Sequence, residues 1–297
     1  MKNPFKVGEK YRNNLGEYEV VSINGPAMTI RLTDGRTVDT TVNLQARIWK
    51  RVRWEKQHKK EVKASSHSRK LSYRKTKFPG FRDEDFREGV KGTSWRARTK
   101  LSGLLSDGLT AKTRYEFQSY AVYGQPVGHY VIPEYYDKKH RGESAKFILD
   151  LNLARVRYGF HIKKGIITPE TPNDWQNLIV ELTEDTDLQQ EIVRAMQMHN
   201  LQWNLYPDGA EDTPIHVAVA ADGQLLWPGP EITETLTWDE FIHKLQEVSA
   251  AEPYNIYLCA HLEKEEAIAK GTQLADIIVE LYRDLLPLYE ISTRCAK

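Results

Sequence analysis

At 297 residues the chain is long enough for two or three domains with cores of their own, and its 40% apolar and 28% charged composition is that of a soluble globular protein. No apolar run approaches the roughly 20 residues that span a bilayer, so no membrane partner is expected. The net charge of +1 conceals a segregation: residues 1–164 carry 35 Lys+Arg against 17 Asp+Glu, net +18, and residues 165–297 carry 7 against 24, net −17. A field of this shape attracts a polyanion at one end and repels it at the other.

The opening Met1-Lys2-Asn3-Pro4-Phe5 lacks the apolar core of a secretory signal. Cys259 and Cys295 are far apart and have no metal-ligand spacing. A cytoplasmic location with reduced thiols is the expectation, and neither a metal nor a cofactor is expected.

Residues 1–50 read as a small all-β unit. Tyr18-Glu19-Val20-Val21-Ser22-Ile23 and Met28-Thr29-Ile30-Arg31-Leu32 alternate, with turns at Asn24-Gly25 and Asp34-Gly35. Strands this short must curl to bury one face. The stretch Phe5-Lys6-Val7-Gly8-Glu9-Lys10-Tyr11 followed by Gly16-Glu17-Tyr18-Glu19-Val20 resembles the opening of SH3-like and Tudor-like barrels, which implies a small barrel here. Tyr11 and Tyr18 then form either its core or a cage for a methylated cation.

Residues 51–80 form a basic connector. Between Lys50 and Lys77 twelve Lys/Arg face only Glu55 and Glu61. Lys50, Arg51 and Arg53 stand near Trp49 and Trp54; Lys56, Lys59, Lys60 and Lys63 surround His58; Arg69, Lys70, Arg74, Lys75 and Lys77 flank His67 and Tyr73. Clustered cations contact phosphates and release counterions, which gives affinity without base information. The competing reading is a linker kept solvated by its charge.

Residues 81–164 read as a second basic α+β unit. Trp95, Arg96, Arg98 and Lys100 form a further candidate nucleic-acid contact, with Lys91 and Arg114 nearby; the alternative is a surface helix with Trp95 buried. A tyrosine-rich stretch from Tyr115 to Tyr136 is either core or a stacking platform. Residues 143–158 fit a helix with Ala145, Ile148, Leu149 and Leu153 on one face.

Residues 165–297 read as an acidic α/β lobe. Trp175-Gln176-Asn177-Leu178-Ile179-Val180-Glu181-Leu182 and Trp238-Asp239-Glu240-Phe241-Ile242-His243-Lys244-Leu245 share the pattern W-x-x-[LF]-I-x-x-L at helical spacing. Thr237 and Glu240 fit a capping box. His216 to Ala220 with Asp222-Gly223 fits a hairpin, and a long final helix is expected from about Glu263 to Tyr289. Glu265-Glu266-Ala267-Ile268-Ala269-Lys270-Gly271, with Ala275-Asp276-Ile277-Ile278 and Leu285-Leu286-Pro287-Leu288-Tyr289, resembles the end of the specificity segments that precede the motor in Mcr-type modification-dependent restriction proteins. Tyr158-Gly159-Phe160-His161-Ile162 is similar to a strand found with them. The resemblance implies DNA recognition in a bacterial defence setting; no motor is present, and no functional residue is carried over.

The chain has no phosphate loop, no dinucleotide fingerprint and no nucleophile elbow. Glu116, Glu134 and Asp137 are the carboxylates a metal-dependent nuclease would draw on. The expected architecture is α+β: an SH3-like barrel, a basic connector and a mixed α/β body ending in a long helix. The expected function is nucleic-acid binding, with DNA the expected substrate, and a protein partner at the acidic lobe. A nuclease and a protein-interaction scaffold are the alternatives.

Overall fold

The computed structural model describes residues 3–13, 16–33, 35–43, 45–46, 48–49, 77–90, 95, 100–122, 125–137, 139–165, 174–207, 214–229, 232–248 and 253–293. The chain divides into two compact units, Met1–Ser65 and Ser66–Lys297.

The first unit is an antiparallel meander of β1 (Lys10–Asn13), β2 (Gly16–Asn24), β3 (Ala27–Leu32) and β4 (Thr37–Thr41). Gly25 and Gly35 take φ of +60° and +86°, the left-handed conformation their turns require. A bulge between Val20 and Ser22 resets the alternation of β2, so that Tyr18, Val20 and then Ile23 face the core with Met28, Ile30 and Leu32. The sheet is not closed into the expected barrel. β4 is short and largely exposed, and it pairs with β3 alone. Tyr18 is buried, and Tyr11 is held by its hydroxyl, which donates to the Pro4 carbonyl and accepts from the Lys6 N–H. Phe5, Tyr11, Tyr18 and Trp49 pack ring against ring, as a core does.

The second unit is built on one nine-stranded antiparallel sheet. β5 (Gln118–Ala121), β6 (Val127–Val131), β7 (Lys146–Leu151) and β8 (Arg155–Lys164) form a first meander. β9 (Gln202–Pro207), β10 (Ile215–Val219), β11 (Leu225–Pro228) and β12 (Thr233–Leu236) form a second. β13 (Tyr254–Glu263) lies between β8 and β9 and joins them, giving the order β12-β11-β10-β9-β13-β8-β7-β6-β5.

Among the described residues this unit has seven helices: α1 (Leu101–Lys112), α2 (Asp174–Glu184), α3 (Thr186–His199), α4 (Trp238–Val248), α5 (Lys264–Ala269), α6 (Leu274–Asp284) and α7 (Leu286–Ser292). Their apolar sides and one face of the sheet make a single core. The two W-x-x-[LF]-I-x-x-L segments are α2 and α4, and each is the first helix after a four-stranded meander. The capping box of α4 is formed: Glu240 accepts from the Thr237 N–H at 2.8 Å, and the Glu240 N–H donates to Thr237 Oγ1 at 3.3 Å.

Two further expectations fail. Residues 143–158 are not a helix but the strands β7 and β8 with the turn between them. Phe147, Leu149 and Leu151 enter the core, while Lys146, Ile148 and Asp150 point to the other face. The long final helix is broken into α5, α6 and α7. Gly271, at φ +51°, interrupts it first, and Pro287 marks the start of α7. Gly80 approaches the Gly271 backbone because it has no side chain: a Cβ at Gly80 would sit 3.1 Å from Gly271 Cα. Phe78 and Phe81, at the end of the expected connector, are buried beside Phe86 and Trp95.

No described helix is long and apolar enough to cross a membrane.

β13 can lie against β8 because of Gly159. A Cβ there would come within 2.2 Å of the Leu258 carbonyl oxygen and 2.6 Å of Cys259 Cα. Gly159→Ala is expected to lower unfolding stability by at least about 3 kcal/mol, since backbone cannot yield as a side chain does. Thr237→Ala, which removes only the cap, is expected to cost about 1 kcal/mol. Urea denaturation of both variants checks the contrast; equal losses would contradict the account of β13.

Candidate functional site

Of the residues expected to contact nucleic acid, Lys50, Arg51, Arg53, Lys59, Lys60, Lys63, Arg69, Lys70, Arg74 and Lys75 lie outside the described residues, as do Arg96 and Arg98. Lys77 is exposed. Lys100 is exposed at the start of α1. Trp95 is fully buried and meets Phe81 edge to face at 5.7 Å, so it presents no face to a ligand. Arg114 is bonded to Glu290 of α7, and its guanidinium lies 4.6 Å over the Tyr115 ring. Tyr130 and Tyr136 are core residues. Glu134 sits on a 3-10 turn (Pro133–Tyr135), and Asp137 caps its own loop by accepting from the Lys139 N–H at 2.7 Å and pairing with His140. Among the described residues no three His, Cys, Asp or Glu side chains gather as a metal site would require.

The structure gathers polar groups elsewhere, on the face of the nine-stranded sheet opposite the helices. Alternation fixes which residues these are. β8 contributes Arg155, Arg157, His161 and Lys163; β13 contributes Asn255, Tyr257, Cys259 and His261; β9 and β10 add Asn204, Tyr206 and His216. Register brings them together: His261 pairs with Arg157, Cys259 with Gly159, and Tyr257 with both His161 and Asn204. Ile148, Tyr206, Tyr257 and Cys259 form a small buried cluster separate from the main core.

Arg157 is the centre of this face. Its side chain is 14% exposed, and Nη2 donates to Asp150 Oδ2 at 2.6 Å. Its guanidinium lies 4.1 Å over the Tyr257 ring and 5.6 Å from the Tyr206 ring. His161 stacks on Tyr257 at 4.2 Å. Burial works against the charge of Arg157, but Asp150 and the surrounding polar groups outweigh it and hold the guanidinium pKa above its ordinary value.

A chain of side-chain hydrogen bonds runs beside it. His216 Nδ1 bonds Asn204 Oδ1, Asn204 Nδ2 reaches Cys259 Sγ at 3.2 Å, and Cys259 Sγ meets His261 Nε2 at 3.4 Å. Cysteine, histidine and asparagine in contact suggest nucleophilic chemistry. Here the thiol is fully buried, and burial pushes its pKa up to about 12, while burial, Arg155 and Arg157 pull His261 down to about 4. A neutral thiol beside a neutral imidazole is not an activated nucleophile. Three polar atoms in this region, Arg157 Nε, His261 Nδ1 and Tyr206 Oη, are buried without a hydrogen-bond partner among the described residues. An unmet buried polar group costs about 1–3 kcal/mol.

At the end of β7's entry loop, buried Lys146 donates to the carbonyls of Arg141, Gly142 and Ser144 at 2.6–2.7 Å. Its three protons are all used, so it organises the loop rather than serving a ligand.

Charge is divided between the two sides. The seven helices carry fifteen Asp/Glu against five Lys/Arg. The opposite face of β7, β8 and β13 carries Lys146, Arg155, Arg157 and Lys163 against Asp150 and Glu263. No known protein family matches the chain, and no curated protein matches it.

The histidines of this face make stability depend on pH. Burial depresses His261 and also His161, whose pKa lies well below its ordinary value, with Lys146 and His129 adding to the effect. The unfolded chain therefore binds more protons once the pH falls below about 6.5, and stability is lost from there down towards pH 4. The slope reaches at most about 1.4 kcal/mol per pH unit for each histidine. His261→Phe should flatten the curve of unfolding free energy between pH 6.5 and 4, and an unchanged slope would show that His261 is not held neutral.

Proposed function

We propose that this chain is a nucleic-acid-binding protein with no catalytic step of its own, and that it serves as a specificity component of a bacterial defence or restriction system. The observation that carries this reading is the sorting of charge. Net +18 precedes net −17 along the sequence, and in the second unit the acidic residues crowd the helices while arginine, lysine and histidine line the other face. Cations clustered between Lys50 and Lys77 give phosphate contacts, and Lys100 lies exposed at the start of α1. The defence setting rests on the resemblance of residues 265–289 to Mcr-type specificity segments. The acidic helices suit a protein partner, such as a separate motor or nuclease subunit, better than they suit DNA.

Affinity for duplex or single-stranded DNA, followed by fluorescence anisotropy, should fall steeply with salt. For about six neutralised phosphates the log–log slope is roughly −4 to −5. A slope near zero would exclude electrostatic binding. Replacing Lys59, Lys60, Lys63, Arg69 and Lys70 together with Gln should weaken binding equally on all sequences and leave the melting temperature nearly unchanged. Sequence-dependent losses would mean that these residues read bases.

A further inference from the structure

We infer that the face of β8 and β13 holds a phosphate-binding site, in which Arg157 Nε–H and His261 Nδ1–H donate to one oxyanion. The argument begins with hydrogen-bond direction. The Nδ2 of Asn204 donates to the Gln202 carbonyl at 3.0 Å and also reaches Cys259 Sγ, which fixes the Asn204 amide so that its Oδ1 accepts from His216. The Cys259 sulfur is thereby the acceptor for Asn204, and its own S–H is left for His261 Nε2. A neutral imidazole that accepts at Nε2 carries its proton on Nδ1. The chain from His216 through Asn204 and Cys259 thus runs one way and ends on a donor.

That donor is buried and has no acceptor among the described residues, and the same holds for Arg157 Nε. The two residues are cross-strand partners on one face, at the separation where side chains meet. The charged or titratable groups acting on His261 are Arg155, Arg157 and His216, all cationic when charged. The acids of this face are Asp150, which already accepts from Arg157 Nη2, and Glu263, the cross-strand partner of Arg155. Two unmet donors on adjacent strands suit the oxygens of one phosphate, and the strong hydrogen bonds are those with an ionised acceptor. The site stands without the nucleic-acid reading, since phosphate alone can test it.

The test uses the full chain labelled with ¹⁵N, titrated with inorganic phosphate. The ring signals of His261 and the Nε–H of Arg157 should shift together and saturate. His261→Phe and Arg157→Gln should each weaken phosphate binding at least tenfold by calorimetry. Cys259→Ser, whose hydroxyl still donates to Nε2, should bind as the native protein does, whereas Cys259→Ala should bind more weakly. If neither wild-type signal moves, or if binding survives both the His261 and the Arg157 changes, the site is refuted; the wild-type titration keeps this so even where a variant fails to fold. Two further probes separate the sources. A 5′-phosphorylated oligonucleotide that moves the signals, where its 5′-hydroxyl twin does not, identifies a free or terminal phosphate. Movement with both identifies the backbone phosphodiester. Saturation by phosphate with no response to either oligonucleotide keeps the site and assigns it to a free small phosphate rather than to nucleic acid.

Discussion

Everything in the second unit depends on one strand being admitted between two others. β13 bonds β8 along ten residues and β9 along six, and without it the two meanders share no hydrogen bonds in the sheet. Gly159 makes the admission possible, because any side chain there would strike the backbone of β13. The helices then lock onto the joined sheet. Phe147 of β7 stacks on Tyr282 of α6 at 4.8 Å and on Tyr289 of α7 at 5.2 Å, and both tyrosine hydroxyls reach main-chain groups, the Ile148 carbonyl and the Ile132 N–H. Large buried aromatics whose polar ends are also satisfied fix position as well as adding apolar area.

The same insertion creates the polar face. β13 alternates Ile256, Leu258 and Ala260 towards the helices with Tyr257, Cys259 and His261 away from them. β8 does the same with Val156, Tyr158 and Phe160 against Arg157, Gly159 and His161. One side is conventional core; the other buries an arginine, histidines, asparagines and a thiol against one another. Such a network lowers the stability of the fold wherever a donor goes unmet, which is why its two unmet nitrogens carry the inference made above.

Sequence patterns recovered the local devices. Asn24-Gly25 and Asp222-Gly223 make their turns, Gly223 at φ +89°, the Thr237–Glu240 box caps α4, and the two tryptophan-led patterns are helices. They failed where burial hid the period. β7 places Ile148 in a second buried cluster on the far face, so Phe147-Ile148-Leu149 is a continuous apolar run, and periodicity alone cannot separate that from a helix. The last helix was overextended because Gly271 and Pro287 interrupt an otherwise regular apolar stripe. The polar face was not legible as a site: Arg157 and His261 are about a hundred residues apart in sequence, and only the pairing of β8 with β13 brings them together. What the sequence does contain is the i, i+2 spacing of Arg155-Arg157 and of Tyr257-Cys259-His261, a sign of two differently used faces rather than of a function.

The position of β13 in the chain also shapes how the protein can fold. During synthesis from the N-terminus, both meanders and four of the seven helices are made before residue 254 exists. Until then β8 and β9, which flank the central strand of the finished sheet, are edges with open rows of N–H and C=O groups. The nascent second unit is therefore a pair of half-sheets that attract strands from other chains, and the closing step is a long-range pairing of the slow kind. The charged residues that β8 carries on one face, Arg155, Arg157 and Lys163, are of the kind that discourage wrong pairing at an open edge.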